Sequence, residues 1–168
     1  MKYGTMTYLC VNERVLMVRK GERKNDPNSG FYTLPGGKLQ NFEKGRFCWG
    51  RLQSAIRETE EETGLTPLGI KPRGAILFDN SERTFDNWPN PQDFLVYLFS
   101  ATSYSGQLGQ ESDEGTPVWV NQSNLNSITK NPGDDCMYSW LKDPRSFMGV
   151  IKVKGKTLDL GGTFVDFF

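Results

Sequence analysis

Glu58, Glu60, Glu61 and Glu62 place four carboxylates within five positions of the stretch AIRETEEETGL, residues 55–65. No Pro or Gly interrupts residues 55–63, and Gly64 is suited to the left-handed conformation that follows a last turn, so a helix ending at Thr63 is expected. At about 100° per residue Glu58, Glu61 and Glu62 leave one face of that helix and Glu60 leaves another. Like charges at this spacing repel by roughly a few tenths of a kcal/mol per pair. A cation would offset that, and a hard divalent ion such as Mg²⁺, with Mn²⁺ as the alternative, suits a face of oxygen donors and often binds together with substrate phosphates. Arg57 precedes Glu61 by one turn and can hold its carboxylate. The competing reading of a bare acidic triplet is a solvated helix face.

Composition narrows the chemistry further. The 168 residues hold twenty basic and twenty acidic side chains and no histidine. A Ser-His-Asp triad, a histidine general base and histidine metal ligands are therefore excluded, which leaves carboxylates for acid–base and metal chemistry. Balanced charge argues against a stable nucleic-acid complex or adhesion to an anionic membrane, and favours a small soluble ligand. Cys10, Cys48 and Cys136 are few, scattered and in no C-x-x-C pattern, so a reducing, cytoplasmic setting is expected. The first residues, MKYGTMTYLCV, alternate like a strand and lack the apolar core and cleavage site of a secretory signal. No segment approaches the roughly 20 apolar residues that span a bilayer.

The elements that must position the glutamates follow from periodicity. Residues 3–11 and 14–19 read as strands of a hairpin turned at Asn12-Glu13, the first of them central. A polar loop, KGERKNDPNSG, leads to extended residues 31–34 and to Pro35-Gly36-Gly37, where glycine lets backbone approach a neighbour closely. Lys38 beside it can meet a phosphate or water. Leu52, Ala55, Ile56, Thr59 and Thr63 give the helix an arc to bury. Residues 70–78 and 94–102 read as strands around a long loop, 78–93, in which Phe85 and Trp88 can anchor the loop or cover a ring. A short strand at 117–120, a helical turn near 123–128, a helix from Asp134 to about Leu141 and strands at 147–153 and 157–160 complete one domain, 1–168. This order makes an α/β fold with a mixed sheet. The last residues, GGTFVDFF, have no assignment beyond a packed tail or an exposed apolar patch.

Gly37, Glu43, Arg57, Glu58, Glu61, Glu62, Gly64 and Leu65 together resemble the Nudix hydrolase signature, G-x5-E-x7-R-E-U-x-E-E-x-G-U, with U bulky and apolar and Thr59 a weak match to it. The departure lies between Glu43 and Arg57, where residues 44–56 are thirteen positions against seven in the pattern. KGRFCWG thus reads as an insertion that lengthens the helix or loops over the site, with burial expected for Phe47 and Trp49. The resemblance implies a Nudix fold, a mixed β-sheet sandwiched between α-helices. It also implies metal held by Glu58, Glu61 and Glu62, with Gly37 at the site, Arg57 orienting Glu61, and hydrolysis of a nucleoside diphosphate linked to a further group.

Later residues are similar to the oxidised-purine nucleoside triphosphatases of that superfamily: ESDEGTPVWV carries S-D-E-x-x-P-x-W, and PGDDCMYSWL parallels P-D-D-x-Y-W. This resemblance implies that Glu114 completes the metal site or acts as base beside Glu58, and that Asp134 and Asp135 read a purine edge. Adjacent carboxylates can share a proton; a helix N-cap is the alternative role for one of them. Thr33 stands where those enzymes have a base-binding asparagine, offering a hydroxyl in place of a bidentate amide. The expected reaction is hydrolysis of a nucleoside triphosphate, an oxidised purine deoxynucleotide among the candidates, to monophosphate and pyrophosphate by a monomer or homodimer. A Nudix hydrolase of ADP-ribose, nucleotide sugars or RNA 5′ ends is the first alternative. A non-catalytic nucleotide sensor is the second.

Overall fold

The computed structural model describes residues 1–22, 28–40, 47–84 and 91–168, with the side chains of all of these but Phe47 and Cys48. Glu43, Phe85 and Trp88 lie outside the described residues. The elements are β1 (Lys2–Val11), β2 (Arg14–Arg19), β3 (Tyr32–Thr33), β4 (Gly36–Lys38), α1 (Phe47–Thr63), β5 (Leu65–Leu68), β6 (Lys71–Arg83), β7 (Phe94–Ala101), β8 (Ser103–Gly106), β9 (Thr116–Asn121), a 3₁₀ turn (Gln122–Asn124), α2 (Asp134–Lys142), β10 (Phe147–Gly155), β11 (Thr157–Leu158) and β12 (Phe164–Phe167). Asn12 and Glu13 turn the first hairpin with φ of 49° and 60°, the double left-handed turn that matches strand twist.

The sheet is mixed. Its order is β11-β10-β6-β7-β1-β2-β3, with β4 on β1, β9 on β2 and β12 on β10. β1 runs parallel to β7 and β6 parallel to β10, while β6 and β7 are antiparallel. Alternation along β1 sorts its side chains to two faces. Thr7 Oγ1 donates to the Ala55 carbonyl of α1 at 3.3 Å, and Leu9 joins Leu16, Leu65 and Ala101 in one cluster. Tyr8, from the opposite face, enters the larger core with Met137, Tyr138 and Leu141 of α2. The two helices therefore cover opposite faces, as expected for the fold. No helix among the described residues is long and apolar enough to cross a membrane.

Two expectations change, and the tail gains an assignment. The helix begins at Phe47, so part of KGRFCWG lengthens it, but Trp49 is 72% exposed rather than buried. It lies ahead of the stretch where Ser54, Ala55, Thr59 and Thr63 turn to the sheet. β6 continues to Arg83, five residues past Phe78, because it pairs with β10 as far as Gly155 and Lys152 meets Glu82 at 2.6 Å. The tail GGTFVDFF contributes β12, whose Phe164 to Phe167 pair with Val150 to Phe147.

Candidate active site

Gly64 ends α1 with φ 74°, and the preceding turn carries the charged face. Arg57 Nη2 meets Glu58 Oε1 at 2.8 Å and its Nη1 meets Glu61 Oε2 at 2.9 Å. One guanidinium thus sets two carboxylates side by side. β4 lies across them: a Cβ on Gly37 would overlap the Glu58 carboxyl, and one on Gly36 would overlap the backbone of Thr5 and Met6 in β1. Glycine is needed at both positions for close approach. Glu60 faces away and accepts a hydrogen bond from Thr66 Oγ1 at 2.5 Å.

Glu62 departs from the expected exposed face. Its side chain is 4% exposed; Oε1 meets Lys20 Nζ at 2.5 Å and Oε2 accepts the Gly36 N–H at 2.8 Å. Burial pushes its carboxyl up from the ordinary range, against the pull of the Lys20 ammonium and the Gly36 N–H, and Glu58 adds to the rise. The reason is tertiary. The end of β2 brings Lys20 over this turn, and β4 closes the other side. Among the described residues no three acidic side chains converge on one point, since Glu62 turns to Lys20 and Gly36 while Glu58 and Glu61 face Arg57. Glu114 sits exposed in the Ser112–Gly115 turn before β9, its N–H on Ser112 Oγ at 3.1 Å, and its carboxylate bonds to none of the described residues.

A cavity of about 570 Å³ opens beside the glycine turn and is lined by Gly36, Gly37, Lys2, Lys20, Lys38 and Arg83. Its apolar wall comes from Met6, Leu34, Phe78, Phe94 and Met137, and among the described residues Asp134 is the one carboxylate that lines it. Among the described lining residues the cations outnumber that carboxylate even with Lys20 paired to Glu62, so on a chain of zero net charge they make a local preference for anions that the composition hides. The volume lies within the range of small-molecule sites. Thr33 is 7% exposed and lines the cavity, and its Oγ1 has no hydrogen-bond partner among the described residues. Such an orphan hydroxyl is costly unless a ligand satisfies it.

The paired aspartates separate. Asp134 is buried and its Oδ2 accepts the Asn131 N–H at 3.2 Å, whereas Asp135 is exposed on Lys130 at 3.2 Å. The two do not share a site, and the cap residue of α2 is Gly133 at φ 92° with no side-chain cap. Burial pushes Asp134 up to about 7, opposed by the Asn131 N–H, Arg83 and Lys130, with Asp135 adding to the rise. A folded-state value above the ordinary 3.8 means that the native protein holds a proton the unfolded chain has released. This contribution is complete below pH 3.8 and is lost as pH rises through about 7; at about 1.4 kcal/mol per unit it reaches a few kcal/mol. Asp134→Asn is therefore expected to be more stable than the parent at pH 8.5 and nearly equal at pH 4, read from urea midpoints. A pH-independent difference would reject the assignment.

Sequence reasoning missed Lys20, Asn28, Asn80, Arg83 and Asn131 at this cavity. Lys20 directly follows β2, the one available signal. The others lie on loops or on the part of β6 read as loop.

Comparison with known proteins identifies the family. The NUDIX domain model matches residues 3–141. The uncharacterized Nudix hydrolase YvcI of Bacillus subtilis is 30% identical over 139 residues, covering 77% of each chain. Among solved structures, a MutT protein from Bacillus halodurans superposes with a TM-score of 0.75 at 22% identity, over 99% of this chain and 97% of that one. The NUDIX domain of Shewanella oneidensis NrtR, solved with ADP ribose, superposes with a TM-score of 0.63 at 16% identity, over 84% and 86%. A glycine turn laid on an arginine-clamped glutamate helix, within a domain matched along most of its length, places this chain in the Nudix hydrolase family.

Proposed function

We propose that the protein is a Mg²⁺-dependent pyrophosphohydrolase that splits a nucleoside triphosphate into monophosphate and pyrophosphate, with an oxidised purine deoxynucleotide the first substrate to test. The observation that carries this reading is the cavity, in which lysines and glycine backbone suited to phosphates adjoin a wall of Phe78, Phe94, Met6 and Met137 suited to a flat ring. Lys20 and Lys38 bind phosphate, and Thr33 and Asp134 meet the ring's polar edge.

The donors are of the kind a hard ion takes, all of them carboxylate oxygens, with Glu58 and Glu61 set side by side by Arg57. Glu58 and Glu61 would hold it, with Glu62 behind them and Glu114 as a further ligand; Mn²⁺ is the alternative ion. When bound, such an ion supplies charge neutralisation on the phosphates and makes water more acidic. Arg57 orients Glu58 and Glu61, the glycine turn brings the phosphates near them, and Glu58 or Glu114 accepts the proton of the attacking water.

The test is a ³¹P NMR screen with Mg²⁺ of ordinary and oxidised nucleoside triphosphates, ADP-ribose, nucleotide sugars and 5′-triphosphate RNA. Monophosphate and pyrophosphate from a triphosphate are expected. The fold shared with an ADP-ribose-binding domain supports ADP-ribose as second reading, and its turnover with triphosphates untouched would replace the first. Ligand binding without product under any divalent ion would favour a sensor. Glu61→Gln is expected to abolish turnover while shifting Tm by no more than about 2 °C, because its side chain is 57% exposed and surface changes cost little. Parent-like kcat would reject the ligand assignment.

A further inference from the structure

We infer that Arg83 is a positioning residue for ring selection: it fixes Asn131, and through Asn131 the Asp134 carboxyl, at the end of the cavity that takes the nucleobase. This rests on the reading that the cavity holds a nucleotide. Arg83 is the last residue of β6, paired with Gly155. Its Nη2 donates to Asn131 Oδ1 at 2.8 Å and its Nη1 to Asn80 Oδ1 at 3.4 Å. With its oxygen engaged, the Asn131 amide directs Nδ2 to Asn28 Oδ1 at 2.8 Å, and its backbone N–H goes to Asp134. Asn80 is held in turn, its N–H on Asp93 Oδ1 and its Nδ2 on the Gln92 carbonyl, both at 3.0 Å.

One guanidinium therefore ties β6 to the segment that opens α2, to the loop after β2 and to the approach to β7. Asn28, Asn80, Arg83, Gln92, Asn131 and Asp134 all line the cavity. The network belongs to different elements from α1 and the glycine turn, where the phosphate chemistry is placed. Its effect should fall on which ring is accepted. A planar fork bridging two amide oxygens is a task for arginine, since an ammonium lacks that geometry.

The test is Arg83→Met, which keeps an apolar stem and removes the fork. KM for the preferred triphosphate is expected to rise about tenfold or more, as for loss of a charged hydrogen bond, with kcat within about twofold. Preference over a triphosphate with another base should fall by a similar factor. Arg83→Lys, which keeps the cavity's charge but not the planar fork, should repeat both shifts, while its inhibition by inorganic tripolyphosphate, which has no ring, should not move. Asn131→Ala, which leaves Arg83 in place and serves if Arg83→Met does not fold, should repeat the KM shift, and the double variant should lose no more than either single one, because they act along one path.

Weaker tripolyphosphate inhibition of Arg83→Lys in parallel with KM, a fall in kcat alone, or additive losses would overturn the inference. Absence of triphosphate turnover by the parent protein would sink the functional reading instead. Ring selection would then be read by titration calorimetry with nucleoside monophosphates, where the parent should discriminate and Arg83→Met should not; equal discrimination by both overturns the inference.

Discussion

Gly37→Ala is expected to lower kcat by about two orders of magnitude while the protein stays folded. The added Cβ would occupy the space of the Glu58 carboxyl, which is the far end of a flexible side chain and can swing aside. Folding therefore loses little, but the carboxylate leaves the position that Arg57 gives it at 2.8 Å. A displacement of about 1 Å at a reacting group can cost about a hundredfold. Gly36→Ala supplies the contrast. Its Cβ would meet the backbone of Thr5 and Met6, which cannot rotate away, so the expected result is poor folding or a large fall in Tm. Normal kcat in Gly37→Ala would show that Glu58 need not sit beneath the turn. Equal thermal loss in both variants would show that the two glycines serve only packing.

The second large effect concerns Lys20 and Glu62. Their side chains are 15% and 4% exposed and meet at 2.5 Å, so removing either partner leaves the other charge largely out of water. Lys20→Met, which strands the carboxylate, should cost about 3–5 kcal/mol at neutral pH, seen as a Tm lower by roughly 10 °C; Glu62→Gln should cost less, because burial already disfavours the charged form of Glu62, and each should also reduce turnover. The double variant Lys20→Met/Glu62→Gln keeps similar volume and buries no unpaired charge, so much of the stability should return while activity does not. Additive destabilisation in the double variant would mean that the pair is not coupled in the folded protein. The exposed acidic face read from spacing alone becomes, at Glu62, a buried ion pair with Lys20.

Local rules accounted for much of the architecture. Alternation located β1 and β2 at or within a residue of their ends, and Gly64 stopped the helix, because hydrophobic period and left-handed φ depend only on neighbours in the chain. The spacing of Arg57 and Glu61 foretold their contact for the same reason. Longer reach failed. Trp49 was expected to be buried from its ring alone, but burial depends on which turn of the helix meets the sheet, and α1 turns Ala55, Thr59 and Thr63 inward. β6 outlasted its hydrophobic pattern because β10 supplies a partner strand.

The glycine turn, the helix with its arginine and glutamates, the mixed α/β layering and the absence of histidine chemistry all follow from residue type and short spacing. Contacts between distant segments bury Glu62 on Lys20, 42 positions away, face Asp134 to the cavity and Asp135 to solvent, and gather cations in a chain of balanced charge. Burial and electrostatic environment are set by which distant segments come together, and no local pattern of residues encodes that meeting.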